Sequence, residues 1–489
     1  MTTKTIPLLV SNYNKLTAKD AGVQRLLNVY LEERKDYVEE KTRMSMFRTP
    51  GYILWKDLSG GSIRGAIQHL DYSYWVVDEK VYKVASDTVV TLLGSMNSSA
   101  GRVFMTALND EIVISDNTEA WSYKITAGTW AQITDADLPY PVGSIASLAN
   151  RVIYCIRGTQ KFYASDLEDG RAITATTNAA ISLNYDDLQA VAVNLNNAYF
   201  FGDITTEIFA PVDDVTLPYD RISGGLLEFG IVSPYAWQRV LDSLYVIAKN
   251  KDGIVGLLKI DGLNVTLIKN DDFIEKVNTY VNNDNTFCWS FSDKGHHFLA
   301  VTFPVAESVT RGRTWIYDTT TSSWSELESN DTSNQYSAFL NRHTANCCIQ
   351  FAGKQLIGDF QSGKIYEFSS DYYDEDGAII RRQVVGPHIR INNNRLTISK
   401  ISINVEGGIG LNNGGDYDSP KLNLSWSTDE GRTFCTPQER ECGTAGQYKL
   451  EPLWSSAGSG RCFTFKLDFS DPVDWAIYDM YAKVRVSNG

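Results

Sequence analysis

The sequence has no long apolar run. No stretch approaches the ~18 consecutive apolar residues that a membrane-spanning helix needs. The opening MTTKTIPLLVSNYNK holds only a brief apolar run between polar neighbours, too short for the hydrophobic region of a secretory leader. No membrane span is therefore expected. Cysteine is sparse: seven residues, an odd number, with no C-x-x-C pair. Reduced and mostly buried thiols are the expectation, not a disulfide framework. Positive charge is also short, with 45 Lys and Arg against 59 Asp and Glu and a net charge of −14. That balance excludes a tight hold on nucleic acid, because affinity for phosphate scales with basic contacts. It still lets DNA pass close by without sticking. A glycine-rich phosphate loop, a nucleophile elbow and a dinucleotide fingerprint are all missing. No catalytic, cofactor-binding or metal residue is assigned, no cofactor is expected, and the chain is not expected to be an enzyme.

What is present is a repeat. An apolar strand, a polar turn and a second aromatic-rich strand recur in YWVVDEKVYKV (74–84), EIVISDNTEAWSY (111–123), RVIYCIRGTQKFYASDL (151–167) and AYFFGDITTEIF (198–209). The series goes on in LYVIAKNKDGIVGLLKI (244–260), HHFLAVTFPV…RTWIYD (296–318) and KQLIGDFQSGKIYEFSSD (354–371). Starts spaced by roughly 40 to 55 residues match the period of propeller blades. One hairpin cannot bury its own face in water, whereas a ring of small sheets buries every inner face and leaves only short edges. The expected fold class is all-β: a β-propeller of about six to seven blades, then an antiparallel sandwich-like domain. The unit at 296–345 leaves the count open, since it holds one blade or part of two.

Length allows two or three domains, and the texture changes near GPHIRINNNR at 385–394. Beyond it, alternation is strong in RLTISKISINVEG, with Leu396, Ile398, Ile401 and Ile403 between polar residues, and returns at 421–427, 461–470 and 475–487. Gly-, Asn- and Asp-rich turns separate these strands. The expected division is an extended N-terminal arm and leading strand at 1–52, the propeller at 53–385 and a C-terminal β-domain at 386–489. Residues 18–40 are ambiguous. Val23, Leu26, Leu27, Tyr30 and Leu31 keep to one helical face, yet Pro50-Gly51 ends the region as a turn dipeptide ends a strand, which favours the extended reading.

QRLLNVYLEE at 24–33 followed by RTPGY at 48–52 resembles the N-terminal signature of the tail-nozzle, or tail-hub, proteins of short-tailed phages, also called packaged-DNA stabilisation proteins. SDLED at 165–169 with TTEIF at 205–209, GLLEFGIVSPYAW at 225–237, DEDGAIIRRQVVGPHI at 374–389 and KLNLSWSTDEGRTF at 421–434 are similar to further segments of that family. The stretches 268–295 and 319–345 have no counterpart. The resemblance implies an extended Asn-x-Tyr segment and a Pro-Gly turn into the first blade. It also implies a structural virion protein of a podovirus, assembled in the host cytoplasm. That protein would be a homo-oligomeric ring, a hexamer, below the portal adaptor ring. It would dock tailspikes or tail fibres, meet a tail needle or plug, and retain and then pass genomic double-stranded DNA without binding it specifically. A ring of this kind closes through heterologous interfaces, and its lumen-facing loops are expected to carry more acids than bases.

Several motifs invite chemistry. Ser427-Thr428-Asp429-Glu430-Gly431-Arg432-Thr433-Phe434 fits the Asp-box pattern of sialidase propellers, but its physical role is a hairpin turn whose Asp caps backbone N–H groups. DYYDEDG at 371–377 is similar to a calcium loop, with Tyr372 and Gln383 standing where carboxylates belong, so a tight acidic turn is expected. His343 with Cys347 and Cys348 lacks a fourth ligand. His296 and His297 open a strand on opposite faces. Trp315 and Trp324 bracket a kelch-like hairpin and are expected in the core, and Arg381-Arg382 is too short a run for nucleic acid. The alternative function is a carbohydrate-binding or sialidase-like propeller, which needs arginines and acids converging at the propeller mouth. A kelch-type adaptor, a stable monomer, is the third.

Overall fold

The computed structural model describes residues 2–7, 25–36, 41–181, 186–214, 216–308, 311–329, 342–391, 394–411 and 414–487. Seven small antiparallel sheets follow one another: five four-stranded, one five-stranded, and the first four strands of a nine-stranded sheet. These are seven propeller blades. In blade 1 the strands are Ile63–His69, Tyr72–Val77, Lys80–Ala85 and Val90–Ser95. Each of the seven sequence units is the second and third strand of one blade, and the described strands of 296–327 are the last three of the sixth blade.

The physics of that repeat lies in burial. Second strands such as Arg151–Ile156 and Asn197–Gly202 are covered on both faces by neighbouring blades, so they run as near-continuous apolar segments rather than alternating. Phe162 of blade 3 stacks on Phe200 of blade 4 with centroids 4.1 Å apart. The ring closes between blades 7 and 1. Ile63, Trp75 and Val77 share a core with Cys347, Leu356 and Ile365, and Asn346 Nδ2 donates to Ile63 O at 2.7 Å.

Blade 7 borrows its outer strand. Gly51–Asp57 pairs antiparallel with Lys364–Ser369, so the start of the chain completes the last sheet. Pro50-Gly51 thus leads into the seventh blade and not, as the resemblance implies, into the first. Residues 25–36 are extended, as Arg25–Leu27 and Val29–Asp36; Val23 lies outside the described residues. The single helix among the described residues, Asp271–Val277, and the first strand of blade 6 fill the unmatched stretch 268–295.

Propeller and C-terminal domain are not beads on a string. Arg25–Leu27 pairs with the outer strand of blade 6 on one side and with Gln383–Val385 on the other. Thr464–Asp468, Lys421–Ser427 and Gln438–Glu441 extend the same sheet to nine strands. A second sheet packs on this extension. It takes Val29–Asp36 and Lys41–Arg48 from the N-terminal arm beside Ala476–Ser487 and Arg395–Val405. Leu396, Ile398, Ile401 and Ile403 are all fully buried. Their two-residue spacing breaks at Ser399-Lys400 because a register shift lies there.

Candidate interaction surfaces

The axis of the propeller is filled where the chain enters the blades. Tyr235, ahead of blade 5, crosses to stack on Phe104 of blade 2 at 4.3 Å, and its hydroxyl donates to Arg102 O at 2.9 Å. The Arg102 guanidinium lies 3.8 Å from the Phe287 ring centre and donates to Asn346 Oδ1 at 2.8 Å. Arg342 stacks on Phe360 at 3.8 Å. Burial and then the like charge of Arg102 lower its pKa to about 9. This plug of arginines and aromatics closes one end of the propeller's own axis.

A second cluster ties the arm, blade 6 and the C-terminal domain. Asn28, buried with φ 54°, makes a two-way clasp. Its Nδ2 donates to Glu328 O (2.9 Å) and Arg381 O (2.8 Å), and Glu328 N donates back to Asn28 Oδ1 (2.9 Å). An αL residue with a short amide is what such a site needs, since asparagine tolerates φ > 0 and offers both donor and acceptor. Beside it Glu326 meets Arg25 (3.0 Å), Arg313 (3.4 Å) and Lys276 (3.5 Å). Burial alone would raise the Glu326 carboxyl, but the three cations outweigh it and hold the group below its ordinary range.

A third junction centres on Arg48. This side chain is almost fully buried and bonds Asp474 Oδ1 (2.8 Å), Tyr372 O (3.1 Å) and Ser370 O while lying over the Tyr373 ring. Arg382, also fully buried, donates to Tyr373 O at 3.2 Å. Burial, then the charge of Arg48, lowers its pKa to about 9. Arg382 of the Arg381-Arg382 pair is therefore a structural cation at the propeller's exit.

The remaining sequence candidates resolve into structure. In the Asp-box, Ser427 Oγ donates to Asp429 Oδ1, while Thr433 N (2.9 Å) and Thr433 Oγ1 (2.6 Å) donate to Asp429. Ser427 and then Thr433 hold this carboxyl well below the usual range. Glu430 and Gly431 take positive φ. It is a turn, and its carboxylate is committed to that turn. Above it lies a cleft of about 310 Å³ with Arg390, Arg432 and Arg461 on its wall, and Glu430 pairs with Arg390 at 2.7 Å.

In DYYDEDG, Asp374 accepts from Gly377 N and Asp376 from Leu54 N (3.3 Å), which clips the turn to the strand Gly51–Asp57. His343 is buried among Trp289, Tyr52 and Phe368. Its Nδ1 accepts from Ala345 N at 3.1 Å, and burial, then Arg342, pushes its pKa down to about 3. Cys347 and Cys348 are thiols raised by burial, Cys347 to about 11. His296 pairs with Asp318 (2.7 Å) inside the blade, while His297 meets Ser292 (2.9 Å) on the other face. Trp315 and Trp324 pack on Phe273 of the helix, in the core. Sequence reasoning missed the axial plug and the Arg48 junction, because each is assembled from segments far apart in the chain.

No helix among the described residues is long and apolar enough to cross a membrane. The family model described as Bacteriophage P22 Gp10, beta-propeller matches residues 27–373. The one described as Bacteriophage P22 Gp10, beta-sandwich matches residues 381–485. No curated protein matches the sequence. Similar solved structures include the extracellular domain of BT4673 from B. thetaiotaomicron, at 8% identity and a TM-score of 0.42, covering 66% of this chain and 40% of that one. The N-terminal domain of Nup159 is another, at 10% identity and 0.41, with 70% and 98% covered. At such scores neither speaks to function.

Proposed function

The chain belongs to the family of bacteriophage P22 Gp10 and is a structural protein of a phage tail; from that premise we propose that it is the tail nozzle of a short-tailed phage. Six copies form a ring below the portal adaptor, dock tailspikes or fibres outside, and retain and then pass the genome within. One observation carries this reading: both domains of the family occur here in order, over residues 27–373 and 381–485.

The geometry supports a particular version of it. Because Tyr235, Arg102, Phe287 and Arg342 fill the propeller axis, no duplex threads a single propeller, so the DNA path lies between copies. A net charge of −14 suits such a wall, since an acidic surface repels phosphates and leaves no local trap. Ring closure needs one surface of a copy to fit a different surface of the next. The test is complementation. The chain, supplied in trans to particles assembled without it, is expected as a sixfold ring at the tail by cryo-EM, with genome retention restored. A copy found in the capsid shell, or particles that hold their DNA without the chain, would sink the reading.

A further inference from the structure

One rim of the propeller carries leucines in backbone conformations that leucine disfavours. In an antiparallel blade the first-to-second and third-to-fourth turns share an end, and in a propeller that end is common to all blades. Cross-blade bonds agree: His69 meets Asn109 O at 3.1 Å, and Asn194 Nδ2 donates to Asp242 O at 2.9 Å. On this rim, opposite the arginine plug, Leu70, Leu195 and Leu241 sit in two-residue turns with φ 50°, 53° and 54° and are 55%, 65% and 62% exposed. Val89, Leu167 and Leu263 add exposed apolar side chains from the third-to-fourth turns.

The corresponding turns of blades 6 and 7 are Lys294-Gly295 and Ala352-Gly353, nearer the Asn-Gly chemistry that such turns favour. A bulky residue at φ > 0 is an outlier, and with more than half of each side chain exposed these leucines gain little burial to offset it. The same turns carry acids: Asp71, Asp110 and Asp242 in one set, Asp87, Glu168, Asp213 and Asp214 in the other, against the single base Lys294. Lys294 itself lies 3.9 Å from Asp474, where the C-terminal domain abuts blade 6. Blades 1, 3, 4 and 5 leave their studs uncovered.

The geometry points to this rim as a docking face for a different virion protein, one presenting lysines and arginines around apolar pockets. Charge complementarity names that occupant. A wall facing only water and passing DNA has no use for exposed leucines, and the same rim on a second copy would bring acid against acid. The assignment rests on the tail-nozzle reading only for where the partner sits.

The test is the triple variant L70N/L195N/L241N of the full chain, beside D71N/E168Q/D242N. Asparagine suits the αL turns, so the first variant is expected to melt at or above the parent's temperature while its incorporation into tails falls at least tenfold. The charge variant is expected to be incorporated less efficiently, with a weaker dependence on salt. Normal incorporation of the leucine variant overturns the proposal, as does a melting temperature several degrees lower, which would make the leucines structural. If native mass spectrometry shows the leucine variant changing the chain's own oligomeric state, the occupant is a second copy and the assignment fails. A parent chain absent from the tail overturns this proposal and the nozzle reading together; a parent present with a normally incorporated variant overturns the rim alone.

Discussion

At the scale of single residues, the stability of this molecule turns on a few polar groups that sit where only one chemistry works. Asn28 is the clearest. Replacing it with alanine removes three hydrogen bonds, two of them buried, and puts a Cβ-bearing residue without a polar side chain at φ 54°. Buried partners left unpaired cost about 1–3 kcal/mol each before relaxation, so N28A is expected to lose roughly 2–4 kcal/mol in urea unfolding; a loss below half of one unit would show the clasp to be incidental. His343 sets a pH dependence. Its pKa is pushed from 6.5 to about 3 in the fold, so the folded state keeps it neutral while the unfolded chain takes up a proton. Stability is fully present above pH 6.5 and is lost as pH falls through the window down to about 3. The expected slope is up to ~1.4 kcal/mol per pH unit. The H343N variant should show a shallower fall of stability between pH 6.5 and 4, and an unchanged slope would count against the buried neutral imidazole.

At the scale of elements, what the sequence showed and hid follows from burial. The second and third strands of each blade are walled in on both sides, so their apolar runs announce themselves. Outer strands such as Asn264–Ile268 are almost wholly exposed and carry no such signal. The strand that completes blade 7 comes from residue 51, some three hundred residues before its partner, and no local pattern could place it there. The helical spacing of Leu26, Leu27, Tyr30 and Leu31 was a mimic. Asn28 turns the chain between two strands, and every residue from Leu26 to Leu31 is buried, so neighbouring residues are buried together. The axial plug was illegible for a similar reason, its members being scattered through blades 2, 5, 6 and 7. The closure itself is testable. A Cβ on Gly51 would stand 2.3 Å from Asp374 O and 2.7 Å from Tyr372 O, and both are backbone atoms. Gly51→Ala is therefore expected to cost about 2–3 kcal/mol by pushing the closing strand off its turn, seen as a lower melting temperature and faster proteolysis at 51–57. Wild-type melting by this variant would mean that the closing strand does not seat as described.

At the scale of the whole molecule, the arm, the propeller and the sandwich are one cooperative body. Blade 6 and half of the sandwich share a nine-stranded sheet, and the other half of the sandwich is built partly from Val29–Asp36 and Lys41–Arg48. Calorimetry of the full chain is expected to give a single transition, and a chain ending at residue 380 to lack a cooperative one; two well-separated peaks in the full chain would refute this. The shared sheet has a mechanical consequence. Most two-domain proteins flex at a linker, but here a tug on the sandwich is carried by backbone hydrogen bonds through Gln383–Val385 and Arg25–Leu27 into blade 6. A structural protein of a phage tail built this way can pass strain from the sandwich to the propeller without bending at a joint.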